Sequence, residues 1–515
     1  MYALELLNIT KTFARTIAND NVTLKVSTGS IHALVGENGA GKTTLMEILY
    51  GLYQPDAGKI RIHEKQVEIK SPHDSIRLRI GMVHQHFMLV PKLTVLENIV
   101  LGAETTKNLF LDLKKTISEI SALAEQFSLN VPLDERIENV GVGIQQRIEI
   151  LKAIYRKADI LVLDEPTAVL TPQETGQLFK ILSELNQQGK TIVLITHKLN
   201  EVMAISHHVS VMRNGRMAGE LETSKTNPQE IAQLMVGRPV LLRVEKTEKK
   251  PSAPMLFIRN LNYIDRRGVA TLTDVSFELA PGEILGVAGI EGNGQSQLVE
   301  CLTGLLRPAS GSIKIGDTEL VGSSARQIFS HGFAHVPEDR IKRGLVIDFS
   351  IEENLILGMH TQFSRGFLMK RNEIRQNAIL LIERFDIRPT DPTTHARGLS
   401  GGNQQKVIMA RELSRVADVI IASQPTRGVD IGGIEFIHRT LISARDAGKV
   451  ILLVSADLNE ILSLSDRIAV MYGGKIVKMF PDNKVDENEL GLYMTGSSER
   501  IPAGNGNENR QAFAP

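Results

Sequence analysis

The stretch GENGAGKTT, Gly36–Thr44, follows the apolar run IHALVG and precedes the helix-like LMEILY. A strand that ends in a glycine-rich turn and feeds a helix aims several backbone N–H groups at one point. That point attracts phosphate oxygens, helped by the positive end of the helix. Gly36, Glu37, Asn38, Gly39, Ala40, Gly41, Lys42, Thr43 and Thr44 form the predicted phosphate loop. Lys42 places a positive charge beside the β- and γ-phosphates of a nucleotide, and Thr43 offers a hydroxyl to magnesium.

Working outward, the same loop recurs as GIEGNGQS at 289–296, with Gln295 where Lys42 should repeat. The opposite loss occurs downstream: LSGGNQQK at 399–406 is intact, and its counterpart at 140–147 reads VGVGIQQR. Gly36 recurs as Gly289 and Gln85 as Glu338, each 253 residues on. From Arg147 and Lys406 onward the offset is 259, pairing Asp164 with Ser423 and His197 with Ala456. A net six residues therefore enter between 338 and 399. Strand-like runs match as well: DILVLDE with DVIIASQ, and TIVLIT with VILLVS. Helix-like periodicity at 113–127 and 372–385 fills the region between. Short β-rich runs alternating with helical stretches predict a parallel α/β sheet in each half. The expected domains are 1–238 and 255–496, joined by a charged linker at 239–254 and followed by a disordered tail at 497–515.

Composition narrows the classes. Lys plus Arg and Asp plus Glu are both 59, so no basic field advertises nucleic acid. One cysteine, Cys301, excludes an intrachain disulfide and a multi-cysteine zinc site; it is expected to pack in the helix after the second loop. No apolar run approaches the ~18 residues of a membrane span, and MYALELLNITKTF lacks the regions of a signal peptide. A cytoplasmic chain with at most a peripheral membrane role is predicted.

ILVLDEP places two carboxylates, Asp164 and Glu165, at the end of a strand-like run, suited to a metal ion and to an attacking water respectively. An acidic pair at a strand end is common in isolation, but not downstream of a phosphate loop. Gln85 in MVHQHF and His197 in VLITHKL complete the set. Together these residues resemble the ATP-binding-cassette family, over roughly 4–495. That resemblance implies two tandem cassettes, each with a P-loop RecA-like parallel-sheet core, an antiparallel β subdomain and an α-helical subdomain. It makes Gln85 a sensor of metal and γ-phosphate and His197 a γ-phosphate contact. It makes Phe13 the aromatic that stacks on adenine, although a Phe near the start of a sheet is often plain core. His84, His86, His207 and His208 read as structural.

The resemblance further implies head-to-tail pairing, with ATP held between the loop of one cassette and the signature of the other. One site then takes Lys42, Thr43, Gln85, Asp164, Glu165 and His197 from the first half and Ser400, Gly401, Gly402 and Asp430 from the second. Asn403 replaces the usual signature glutamine without loss, both being neutral amides. The other site takes Gln295, Ser296, Glu338, Ser423, Gln424 and Ala456, with Val140-Gly141-Val142-Gly143 and Thr171 in place of an intact signature and aspartate. Gln295 forgoes a charge-assisted contact of ~1.5–3 kcal/mol. Gln424 cannot accept a proton, a loss of ~10²–10⁴ in rate. One competent and one degenerate site are predicted, with ATP and Mg²⁺ as ligands. That intact and altered residues sort by composite site favours sharing over independent drift.

VPEDRIKRGL, PTRGVD and MVGR resemble the sugar-importer class of ATPase subunits, and GMVHQHFMLVPKLTVLENI the general nucleoside importers. That resemblance implies two permease subunits docked near 85–104 and 338–358, an extracytoplasmic binding protein acting indirectly, no nucleic acid, and one ATPase chain per transporter at the cytoplasmic face. A monosaccharide importer is the alternative. A tandem-cassette translation factor usually has a longer charged helical linker, and a DNA-repair ATPase would need a coiled-coil or zinc insertion. The presence of Glu165 and His197 disfavours a non-hydrolytic scaffold.

Overall fold

The computed structural model describes residues 1–14, 16–84, 87–104, 106–107, 110–167, 170, 172–239, 246, 252–290, 292–494 and 496. The chain divides into two compact units, Met1–Leu242 with Asp430–Gly432, and the remainder from Arg243 onward. The predicted tail, 497–515, lies outside the described residues, as does most of the predicted linker. Within that linker Lys246 is anchored, pairing with Asp466 at 3.1 Å.

Each unit has the same two sheets. In the first unit the larger runs Arg216–Glu222, His208–Arg213, Ile31–Gly36, Thr191–Ile195, Ile160–Asp164, Ile80–Val83. Its neighbours are parallel except the antiparallel edge strand Arg216–Glu222. Ile31–Gly36, Ile160–Asp164 and Thr191–Ile195 are buried along their whole length, as central strands covered on both faces must be. That burial is why they read as continuous apolar runs rather than alternating ones. A four-stranded antiparallel sheet carries Tyr2–Phe13, Thr16–Ser27, Ala57–Ile62 and Lys65–Val67. One apolar cluster joins the two sheets around Leu45, Ile48 and Leu49; a second, around Ile148, Leu151 and Ile154, lies under the helices.

The second unit repeats this as Phe333–Val336, Val419–Ser423, Val450–Ser455, Glu283–Ala288, Arg467–Tyr472, Lys475–Phe480. The predicted α/β architecture is therefore present twice. The expected helices occupy Leu113–Gln126 and Arg371–Arg384. Cys301 is buried in the helix Gln295–Leu302, and burial pushes its thiol pKa up to about 12.

The insertion can be located. Thr94 and Ser350 cap matching helices with the same capping box, and they lie 256 residues apart. Half of the six-residue insertion therefore falls between Glu338 and Ser350, a stretch that includes the π-helical turn Arg340–Gly344.

Candidate functional site

The fully buried strand Ile31–Gly36 delivers the chain into the phosphate loop and the helix Lys42–Tyr50. Gly39 and Gly41 hold φ of 82° and 96°, a region costly to any side chain. A Cβ on Gly41 would stand 2.2 Å from the Ala18 carbonyl oxygen, and one on Gly36 2.4 Å from that of Met212. Glycine is a steric requirement at both. Lys42 is 6% exposed, and its Nζ donates to the carbonyls of Gly36 (2.7 Å) and Glu37 (2.9 Å). Burial lowers its pKa, and the nearby Glu165 and Asp164 oppose that shift.

Asp164 and Glu165 leave the strand Ile160–Asp164 side by side in sequence but in different surroundings. Thr43 Oγ1 donates to Asp164 Oδ2 at 3.1 Å, so a hydroxyl and a carboxylate meet beside the loop. Burial raises the Asp164 pKa and Glu165 adds to the rise, against the Thr43 hydrogen bond and Lys42. Glu165 moves the other way. Burial pushes it up, but the hydrogen bond and charge of His197, with Lys42 and Lys198, hold it below its ordinary value. His197 Nδ1 lies 2.9 Å from Glu165 Oε1. Two carboxyl groups with opposed environments can take different roles. Asp164 and Thr43 form a hard-oxygen donor pair that fits magnesium, and Glu165, held low by His197, is in a form able to accept a proton. Glu165 is also held at φ 46°, with its N–H donating to Ile195 O at 2.9 Å, a strained backbone typical of functional positions.

The structure thus brings Lys42, Thr43, Asp164, Glu165 and His197 together. Gln85 and Thr171 lie outside the described residues. Phe13 is not core: it is 37% exposed, edge-on to Tyr53 with ring centroids 5.0 Å apart. Among the histidines read as structural, His207 Nδ1 accepts from Ile31 N at 2.9 Å and His84 packs edge-on against Tyr50. His86 lies outside the described residues.

A buttress behind the site went unread in the sequence. Buried Glu201 accepts from Thr167 Oγ1 and, at 3.1 Å, from Thr196 Oγ1, while Lys198 Nζ lies 3.2 Å away. These contacts tie the turn after Glu165 to the turn carrying His197. The signal was available, because LNE at 199–201 repeats at 458–460.

The second unit keeps the backbone and changes the chemistry. Gly292 and Gly294 hold φ of 94° and 101°, and Gln295 Nε2 donates to Ile290 O at 3.1 Å. A neutral amide therefore sits where the first unit has an ammonium. Gln424 is held at φ 47°, and its Oε1 accepts from Ala456 N at 3.2 Å. Ser423 is buried at the strand end. Ser296 Oγ donates to Glu338 Oε2 at 3.1 Å, and Arg427 Nη1 pairs with Glu338 Oε1 at 2.9 Å.

The signature stretches differ too. Ser400 caps the helix Gly401–Leu413, and Asn403 Nδ2 donates to its Oγ at 2.9 Å. Asn403 Oδ1 also accepts from Arg388 N at 2.7 Å, so this asparagine fastens the cap. Gly401 and Gly402 contribute the first-turn amides, an anion-binding end. The first-unit helix Val142–Tyr155 begins at Gly141 with no side-chain cap. Asp430 is half-buried, just ahead of the helix Ile431–Asp446.

A strand–loop–helix phosphate cradle backed by a hydroxyl, two carboxylates and a histidine defines a P-loop nucleotide hydrolase. The ABC transporter family matches residues 19–168 and 272–427, and the chain belongs to that family as an ATP-binding ATPase with two cassettes. It is 47% identical over 501 residues to the guanosine import ATP-binding protein NupO of Bacillus subtilis, covering 97% of this chain and 98% of that protein. It is 46% identical over 497 residues to the nucleoside import ATP-binding protein NupA of Lactococcus lactis, covering 96% and 98%. The ribose import ATP-binding protein RbsA of Shouchella clausii is 36% identical over 499 residues, covering 96% and 99%. Among solved structures, an RNase-L inhibitor aligns with a TM-score of 0.61 over 93% of this chain and 90% of that one. At 18% identity that likeness concerns the fold alone. Among the described residues no helix is long and apolar enough to cross a membrane.

Proposed function

We propose that this chain is the ATP-hydrolysing subunit of a nucleoside importer, with one working composite site and one degenerate site. The observation that carries the substrate is the 46–47% identity, over nearly the whole chain, to proteins named for guanosine and nucleoside import, against 42% for glucose import and 36% for ribose import. The working site combines Lys42, Thr43, Gln85, Asp164, Glu165 and His197 with Ser400, Gly401, Gly402 and Asp430. Lys42 and the loop amides bind the β- and γ-phosphates of ATP, and the capped signature helix closes on the γ-phosphate. Thr43, Asp164 and Gln85 would hold magnesium, which neutralises charge on the phosphates. Glu165, kept ionised by His197, accepts a proton from water as its oxygen bonds to the γ-phosphorus and the bond to ADP breaks. His197 then faces the transferred phosphate.

Closure on ATP moves two permease subunits at the cytoplasmic face of the membrane, and release of ADP and phosphate resets them. One chain supplies both cassettes of a transporter, and a binding protein delivers solute from outside. Uptake of labelled guanosine and ribose by cells carrying the parent chain or Glu165→Gln tests this reading. Guanosine uptake should depend on Glu165 and ribose uptake should not. Ribose uptake lost with Glu165→Gln, and guanosine uptake kept, would move the assignment to sugars.

A further inference from the structure

The extra residues of the second half build a brace against its signature helix. Val90 N and Val346 N each donate to a matching asparagine, Asn98 at 2.7 Å and Asn354 at 2.9 Å, and they lie 256 residues apart. Gln85 and Glu338 lie 253 apart, so three extra residues stand between Glu338 and Val346. They belong to the stretch DRIKRGL, 339–345, which holds the π-helical turn Arg340–Gly344. Gly344 packs so closely on the helix Gly401–Leu413 that a Cβ would stand 2.5 Å from Ile408 Cδ1. Arg343 reaches the other way, pairing at 2.6 Å with Glu300 of the helix Gln295–Leu302. Arg340 lies at the start of the signature helix. Its Nη1 donates to Arg427 O at 2.6 Å, and its Nη2 would stand 3.1 Å from a Cβ on Gly401 and 3.3 Å from one on Gly428. The side chain of Arg427 returns to Glu338 at 2.9 Å, so two arginines clasp the same two turns. In the sequence the first half has neither arginine: HFML fills 86–89, and Ala168 stands in the place of Arg427.

Packing alone does not explain Arg340. Among the described residues no carboxylate pairs with it, because Asp339 is turned to the N–H groups of Ile341 and Lys342, each at 3.0 Å. A half-buried guanidinium therefore stands unneutralised beside the positive end of a helix of 13 residues. Cations are unfavourable there and anions favourable, so the arrangement gains when a phosphate arrives. We infer that Arg340 is a positioning residue for ATP hydrolysis, holding Ser400 and Gly401 against the turn Arg427–Gly428 so that the signature helix meets the γ-phosphate in place. The brace occurs in the half whose signature is intact, which is the half that needs it. The inference rests on the shared-site reading, in which Ser400 caps the γ-phosphate.

The test measures the ATPase rate of the assembled transporter and the ATP affinity of the full-length chain by equilibrium dialysis. Arg340→Ala should lower the rate roughly tenfold, while ATP affinity, held by the Lys42 loop, stays within about twofold of the parent. Ser400→Ala should lower the rate by about 10–100-fold. A residue that acts through Ser400 adds little once Ser400 is gone, so the double variant should run within about twofold of Ser400→Ala. A merely structural loss would multiply the two effects instead. Arg340→Lys keeps the charge but not the planar fork that reaches Arg427 O from beside two glycines, and should recover less than about half of the lost rate. Arg340→Gln repeats the comparison should Arg340→Ala lower Tm by more than about 4 °C. An Arg340→Ala rate equal to the parent's, or a double variant about tenfold slower than Ser400→Ala, would overturn the inference and leave the shared-site reading standing. Ser400→Ala at the parent rate would overturn that reading together with the inference.

Discussion

At the end of one strand, Glu165 faces an imidazole 2.9 Å away; at the end of its repeat, Gln424 accepts from the Ala456 backbone at 3.2 Å. Both residues hold nearly the same left-handed φ, 46° and 47°, and both donate their N–H to the neighbouring strand. The backbone strain therefore survives the loss of the chemistry it served. What separates the two units is a handful of side-chain atoms on a shared scaffold, and a proton acceptor is among those missing. The signature helices differ in the opposite sense, Ser400 capping one and Gly141 leaving the other without a side-chain cap.

That comparison can be broken at several places. Lys42→Ala removes a charge-assisted phosphate contact worth about 1.5–3 kcal/mol. ATP should bind the first site about 10–100-fold more weakly in equilibrium dialysis, and Gln295→Ala should cost the second far less. His197→Ala removes the partner that holds Glu165 low, leaving burial to push its carboxyl up. The protonated carboxyl cannot accept a proton, so the acid limb of the ATPase pH profile should shift to higher pH. The rate at neutral pH should fall roughly tenfold, as for a lost hydrogen bond to a charged group. An unshifted limb would detach Glu165 from His197. Ser400→Ala uncaps the intact signature helix at about 1 kcal/mol, lowering Tm of the unit by about 2–4 °C. Gly141→Ser should raise stability by only a few tenths of a kcal/mol, since glycine is itself a tolerable cap. The smallest effect belongs to Gln295→Lys. Restoring the ammonium alone leaves Ser423, Gln424 and Ala456 in place, and ATPase turnover should change by less than about twofold.

Much of this was legible in the chain. The repeated loop and the paired strand runs gave the α/β fold twice, because central parallel strands are buried on both faces and so read as apolar runs. The first-unit site was equally legible, since Lys42, Thr43, Asp164, Glu165 and His197 each carry a residue type their chemistry demands. Glu338 was another matter. In the sequence it looks like the loss of Gln85, and only the structure shows it paired with Arg427, 89 residues away. The repeated LNE points to Glu201 but not to its partners, because a buried carboxylate is defined by the hydroxyls that reach it from separate turns. Phe13 met Tyr53 through the path of the chain after the first helix, which no local pattern encodes.

The central claim is that one of the two units hydrolyses ATP. Steady-state ATPase activity of the assembled transporter, measured side by side for Glu165→Gln and Gln424→Glu, tests it most directly. The account predicts that Glu165→Gln falls by about 10²–10⁴-fold and that Gln424→Glu stays at the parent rate. Half the parent rate remaining in Glu165→Gln, or a doubled rate in Gln424→Glu, would contradict it.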